Sequence, residues 1–191
     1  MNDTTAVDPN SDVLRSPARL KLMWLSRLIR AITLAYVVWA FVRTFRWWTD
    51  GPAVIEAYGT YLVRDLSALA GEQRMLALAV DTVELSLLTA AVVYGWKALG
   101  VLGREHAFTQ NAAKFLAWCA WMAVACESWS LLMRPVKTHI LTSHLPAAAQ
   151  LAAWSFNPKD LLVVLLCAVL VCFAHMMGWA AEVADENKGF I

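Results

Sequence analysis

Four long apolar runs, about 21–45, 76–101, 112–134 and 160–181, alternate with segments where charged residues, Pro and Gly collect. Each approaches or exceeds the ~20 residues a helix needs to cross ~30 Å of hydrocarbon. The last is the cleanest: between Leu161 and Ala181 the one Asp, Glu, Lys, Arg or His is His175. The pattern predicts an all-α fold, an integral membrane four-helix bundle.

The connections carry their own pattern. The first run stops at Arg46-Trp47-Trp48-Thr49-Asp50-Gly51-Pro52, where interfacial tryptophans meet a turn signal. Over 53–75, Val54, Ile55, Tyr58, Tyr61, Leu62, Leu66 and Leu69 fall at helical spacing, and Glu56, Arg64, Asp65, Glu72 and Arg74 form a polar side. This predicts an amphipathic helix on the membrane face or on the bundle. The third run ends at Arg134-Pro135, and residues 136–159, with His139, His144, Pro146, an Ala-rich stretch and Trp154, offer a second interfacial helix. Thr109 is placed to cap the third span. Residues 1–19 read as a mobile tail, 20–185 as one membrane domain and 186–191 as a second tail. No cleavable signal peptide is expected, so the first span serves as an uncleaved anchor.

Composition narrows the function classes. Of 191 residues, 60% are hydrophobic and 16% charged, with a mean hydropathy of +0.52, which lies outside the soluble globular range. Four spans leave no room for a separate soluble catalytic domain. A net charge of +1 argues against direct nucleic-acid binding, which needs a basic stripe. The cysteines, Cys119, Cys126, Cys167 and Cys172, lack the CxxC spacing of a zinc site, and no metal is expected. Arg15, Arg19, Lys21, Arg27, Arg30, Lys97, Arg104, Lys114 and Lys188 fall on the amino-terminal side. Arg43, Arg46, Arg64, Arg74, Arg134, Lys137 and Lys159 fall on the other. Nine against seven, with short loops on the richer side, places both termini in the cytoplasm.

Ionisable groups within spans are the candidates for chemistry, because each is costly unless paired or wetted. They are Arg30, Asp81, Glu84, Glu127 and His175. Helix rise puts Glu84 and Glu127 ~4–8 Å outward of the bilayer centre, and Arg30 and His175 ~4–5 Å inward. That layering allows a proton or cation path through Asp81, Glu84 and Glu127 with His175 below, the carboxylates sharing a proton. The reading preferred here is that these groups tie helices together, through Thr33, Ser86, Ser128 or Ser130, since neither the repeats nor the broken helices of a transporter occur. Only His175 is deep enough for a haem ligand, so no cofactor is expected. Trp24, Trp47, Trp48, Trp96, Trp154 and Trp179 read as interfacial. Trp118, Trp121 and Trp129 form an aromatic face with Phe115 and Met122, explained most simply by core packing. No phosphate loop, nucleophile elbow or HExxH signature occurs; the chain is read as non-enzymatic, without catalytic residues.

The segment Gly103 to Leu116, GREHAFTQNAAKFL, resembles the "G…FT…N…L" junction of a bacterial family of small four-span inner-membrane proteins of unknown function. Members are often encoded beside a short Xre-type helix-turn-helix regulator. The ending from Gly178 to Ile191, GWAAEVADENKGFI, resembles that family's final "G…E…V". The likeness implies a bacterial inner-membrane location and a cytoplasmic loop capping the third span. In that loop Gly103, Arg104, Glu105, His106, Phe108 and Thr109 form a possible partner-docking surface. The expected role is an interaction or regulatory component in contact with membrane lipid, holding a small cytoplasmic regulator or forming a homo-oligomer. Two alternatives stay open: a small transporter or channel subunit using the intramembrane carboxylates, and an immunity-type protein whose partner is a pore-forming toxin.

Overall fold

The computed structural model describes residues 17–102 and 109–188. The chain runs α1 (Pro17–Thr49), α2 (Gly51–Leu62), α3 (Gly71–Leu102), α4 (Gln110–Thr142), a single 3-10 turn (Ala147–Ala149) and α5 (Pro158–Lys188). Four stretches are long and apolar enough to cross a membrane: Trp24–Thr49, Gly71–Val101, Gln110–Thr142 and Pro158–Val183. The fold is an all-α four-helix bundle of a multi-pass membrane protein. The expected amino-terminal tail up to residue 16, the loop 103–108 and residues 189–191 lie outside the described residues. α5 continues through Lys188, into the second expected tail.

Extensive contacts join α1 to α3, α3 to α4 and α4 to α5, so the spans pack in chain order. Lipid solvates an apolar side chain as well as a neighbouring helix does; membrane helices are therefore held by close backbone approach and polar ties. On α5 the buried positions Asp160, Cys167, Ala174 and Ala181 recur every seven residues. That spacing is the seam of a left-handed helix pair, built here from small side chains. On α1 the covered positions Arg30, Thr33, Val37, Ala40, Thr44 and Trp48 step by three and four along one side. The flanking Ile32, Leu34, Tyr36, Val38 and Trp39 are half-exposed or more, as suits a helix bathed in hydrocarbon.

The densest packing lies at one end. There Trp48, Val54, Leu62, Leu66, Leu69, Ala77 and Leu141 form a buried cluster with Tyr58, Leu145 and Leu151 against it. Below, this is the capped end; the opposite end, where α3 turns into α4, is the loop end. The cap starts at Asp50, the single residue between α1 and α2. Its carboxylate accepts the Ala53 N–H at 3.3 Å, and Pro52 sits in the first turn, where its missing N–H costs nothing.

Three expectations about the cap are corrected. The helix predicted over 53–75 breaks at Val63, which is left-handed at φ 52°, ψ 49°. The Arg64 N–H then bonds back to the Gly59 carbonyl at 3.1 Å, closing a Schellman-type stop. The break lets the chain reverse: Leu66 and Leu69 turn into the cluster, and residues 71–75 already belong to α3. Second, the third span does not end at Pro135. The helix passes through it to Thr142 because its last turns carry Thr138, Leu141 and Thr142 into the cap core. That burial offsets the hydrogen bond a proline removes.

Third, residues 136–159 make no second interfacial helix. After the 3-10 turn an extended strap crosses α4. Its Leu151 and Ala153 N–H groups donate to the hydroxyls of Thr142 and Thr138, each at 3.0 Å. The same hydroxyls donate to the helix carbonyls of Thr138 and Pro135, so each threonine both gives and accepts. A strap held this way satisfies its backbone without a helix.

A β-branched residue at positive φ is strained. Val63 is also 79% exposed, so its side chain gains little from packing. Val63→Gly is therefore expected to stabilise the fold by about 1 kcal/mol, read as a raised unfolding midpoint in detergent.

Candidate functional site

Asp81 anchors the polar interior. One carboxylate oxygen accepts the Trp48 indole N–H at 2.7 Å, and the other takes the Lys137 ammonium at 2.8 Å. Three helices thus meet on one side chain: Trp48 from α1, Asp81 from α3 and Lys137 from α4. Trp48 is wholly buried and stacks on Tyr58 at 5.8 Å between centroids, so it is a core residue rather than the interfacial one expected. Burial, and then the nearby Asp81 charge, push the Tyr58 hydroxyl up to about 12, leaving it a neutral phenol at physiological pH.

A second knot joins α4 to α5. Arg134 grips Asp160 with both ends of its guanidinium, at 2.5 and 2.8 Å, and also donates to the Ser155 carbonyl of the strap. Asp160 in turn accepts the Asn157 N–H at 2.8 Å, capping the start of α5. A planar fork on a carboxylate fixes orientation as well as distance.

Nearer the loop end, α1 and α3 are tied twice. Arg30 donates to the Trp96 carbonyl at 2.9 Å, and the Trp96 indole donates to the Thr33 hydroxyl at 2.8 Å. Arg30 reaches that carbonyl because residue 100 is Gly: a Cβ there would sit 2.9 Å from its terminal nitrogen. The Trp129 indole completes the set, donating to the Val80 carbonyl at 3.1 Å.

The five intramembrane residues singled out above lie on four helices, α1, α3, α4 and α5. Glu84 and Glu127 make no ion pair among the described residues, and each sits beside a different knot. The charges of Lys137, Asp81 and Glu127 act on Glu84, and those of Asp160 and Arg134 act on Glu127. Arg30, on α1, is spent on α3. His175 is exposed on α5, paired through Nδ1 with its own helix at the Val171 carbonyl, 2.9 Å away. It lines a groove of about 250 Å³ with Lys114, Gly178 and Glu182. Among the described residues α1 and α5 have no extensive contact, so Arg30 and His175 sit on helices that do not pack together.

Of the four hydroxyls proposed as ties, Thr33 crosses to another helix and Ser130 on α4 lies against Glu84 on α3, whereas Ser86 bonds to Thr82 in its own helix and Ser128 is exposed. The aromatic face of α4 is only partly core: Trp129 is tied inward, while Trp118 and Trp121 are about half-exposed. The four cysteines are free thiols, and no group of three potential metal ligands gathers among the described residues.

Of the loop proposed for docking, Thr109 is described: its hydroxyl accepts the Ala112 N–H at 3.3 Å and caps α4. Gly103, Arg104, Glu105, His106 and Phe108 lie outside the described residues.

Beside α1 the polar interior opens sideways. A cleft of about 380 Å³ runs between α1 and α3, with Tyr36, Trp39, Arg43 and Trp47 on one wall and Asp81, Glu84 and Leu88 on the other. A second hollow of about 440 Å³ adjoins it at the α1–α2 corner and shares Trp39, Arg43 and Trp47 with it, adding Arg46 and Asp50. Comparison with family models, curated proteins and solved structures finds no match to this chain.

Proposed function

We propose that this chain is a non-enzymatic interaction component of a bacterial inner membrane, with both termini cytoplasmic and the capped end facing outward. The observation that carries the reading is how the buried charges are used. Asp81, Lys137, Arg134, Asp160 and Arg30 are engaged in ties between consecutive helices, which is scaffolding work. A rigid scaffold of this kind suits a protein that presents surfaces to others. The family resemblance adds the partner class: a small soluble regulator at the loop end, bound by the segment around Thr109 and by the carboxyl-terminal end of α5.

Gentle detergent extraction of a tagged chain, followed by mass spectrometry of co-eluting proteins, tests this. A soluble regulator at stoichiometric yield, lost when the loop Gly103–Phe108 is replaced by a Gly-Ser linker, is the expected result. Recovery of the chain alone, or of a regulator indifferent to the loop, would count against it. A membrane-active toxin instead would move the protein to the immunity class.

The transport reading keeps one observation in its favour: Glu84 lines an open cleft and forms no ion pair among the described residues. It requires ion or proton flux in liposomes that drops on Glu84→Gln and Glu127→Gln. Flux equal to that of empty liposomes would remove it.

A further inference from the structure

From the cleft beside α1 we infer that the protein binds a glycerophospholipid with a zwitterionic, amine-bearing headgroup, seated between α1 and α3 in the leaflet at the capped end. This goes beyond the interaction role and does not depend on it.

Three features of the site carry the assignment. The first is charge of both signs on facing walls. Arg43 on α1 stands across the cleft from Glu84 on α3, and Arg46 lines the adjoining hollow; none of the three forms an ion pair among the described residues. Asp81 is already neutralised by Lys137, and the Asp50 carboxylate is engaged at the α2 cap. The charges without an ion-pair partner among the described residues are therefore two guanidiniums and two carboxylates, of which Glu84 lines the cleft with Arg43 and Asp50 lines the adjoining hollow with Arg46. A phosphate suits the guanidiniums, which match its oxygens in a planar fork, and a primary ammonium suits Glu84.

The second is depth. Trp48 and Asp81 fix the same level on the two helices, so Arg46 and Arg43 lie within about two turns of the end of α1, at headgroup height. Arg43 is also held in place, its guanidinium 5.2 Å from the Trp39 ring centre.

The third is the open side. Among the described residues α1 has extensive contact with α3 alone and a smaller one with α2, and Tyr36, Trp39 and Val42 are about half-exposed. A ligand entering from the bilayer can keep its acyl chains in hydrocarbon along Tyr36 and Leu88 while its headgroup occupies the cleft. Both hollows fall in the ~300–1,000 Å³ range of small-molecule sites.

Native mass spectrometry of the full chain in detergent, titrated with defined lipids, tests the inference. Phosphatidylethanolamine is expected to be retained as one adduct per chain, about tenfold more tightly than phosphatidylcholine, whose methylated amine cannot donate to Glu84. Glu84→Gln should abolish that preference while leaving binding of both lipids. Arg43→Gln with Arg46→Gln should weaken both lipids by about tenfold or more. If that double variant does not fold, Arg43→Lys with Arg46→Lys keeps the charge, loses the fork and should show a smaller loss of both. Equal retention of the two lipids by the wild type would overturn the inference, as would retention unchanged in the arginine variants. Displacement by free phosphoethanolamine as effective as by the lipid would point to a soluble ligand and overturn it as well.

Discussion

Trp48→Ala is expected to cost about 4 kcal/mol, the largest loss of any single truncation in the cap. The residue is fully buried, fills the centre of the cluster with Val54, Leu66 and Leu141, and stacks on Tyr58. Truncation leaves a cavity bounded by three helices and strips Asp81 of its indole donor. Trp48→Phe separates the two effects: it keeps most of the volume and should lose only about 1–2 kcal/mol for the missing N–H. Equilibrium unfolding in mixed micelles reads both. A loss under about 1 kcal/mol for the alanine variant would mean the cap does not hold the bundle together.

The second large effect concerns Asp81 and Lys137. Their side chains are only 20% and 16% exposed, so water screens the pair poorly. Lys137→Met leaves Asp81 charged and uncompensated, and a loss of about 3 kcal/mol is expected; Asp81→Leu should cost a similar amount. The double variant should recover much of that loss, because a pair of apolar side chains carries no desolvation cost. Additive losses in the double variant would show that the two charges do not act on each other. The same unfolding assay decides, repeated at high salt, where a poorly solvated pair should change little.

The spans were legible because hydropathy over about twenty residues is a property of composition, which the sequence states outright. The cap was not, because its boundaries depend on tertiary burial. Pro135 looked like a stop, yet Leu141 and Thr142 keep the helix going by being buried. Val63 carries no turn signature at all, since a valine at positive φ is tolerated only where the surroundings impose it.

The polar site was half legible. Asp81 and Arg30 were visible as charges in apolar runs, but their partners were not. Lys137 and Arg134 looked like ordinary positive charges at a span's edge, and Asp160 was only the first residue of the last apolar run. The missing signal is the lean of helical side chains toward their own amino terminus. In antiparallel neighbours that lean carries Lys137 toward the loop end along α4 and Asp81 toward the capped end along α3, so they meet despite lying at different levels. Reading side-chain direction together with sequence spacing would have paired them.

The Asp81 knot also has a history in time. Its carboxylate is made 33 residues after Trp48 and 56 residues before Lys137. At an elongation rate of about 5–20 residues per second, that second interval lasts roughly 3–11 s. Throughout it α3 must enter the bilayer with Asp81 and Glu84 and no lysine to meet them. The nascent helix therefore needs a wet or protein-lined waiting place until α4 arrives. Biogenesis of this chain is expected to lean on the insertion machinery at that step, with α3 and α4 released to lipid as a hairpin rather than one at a time.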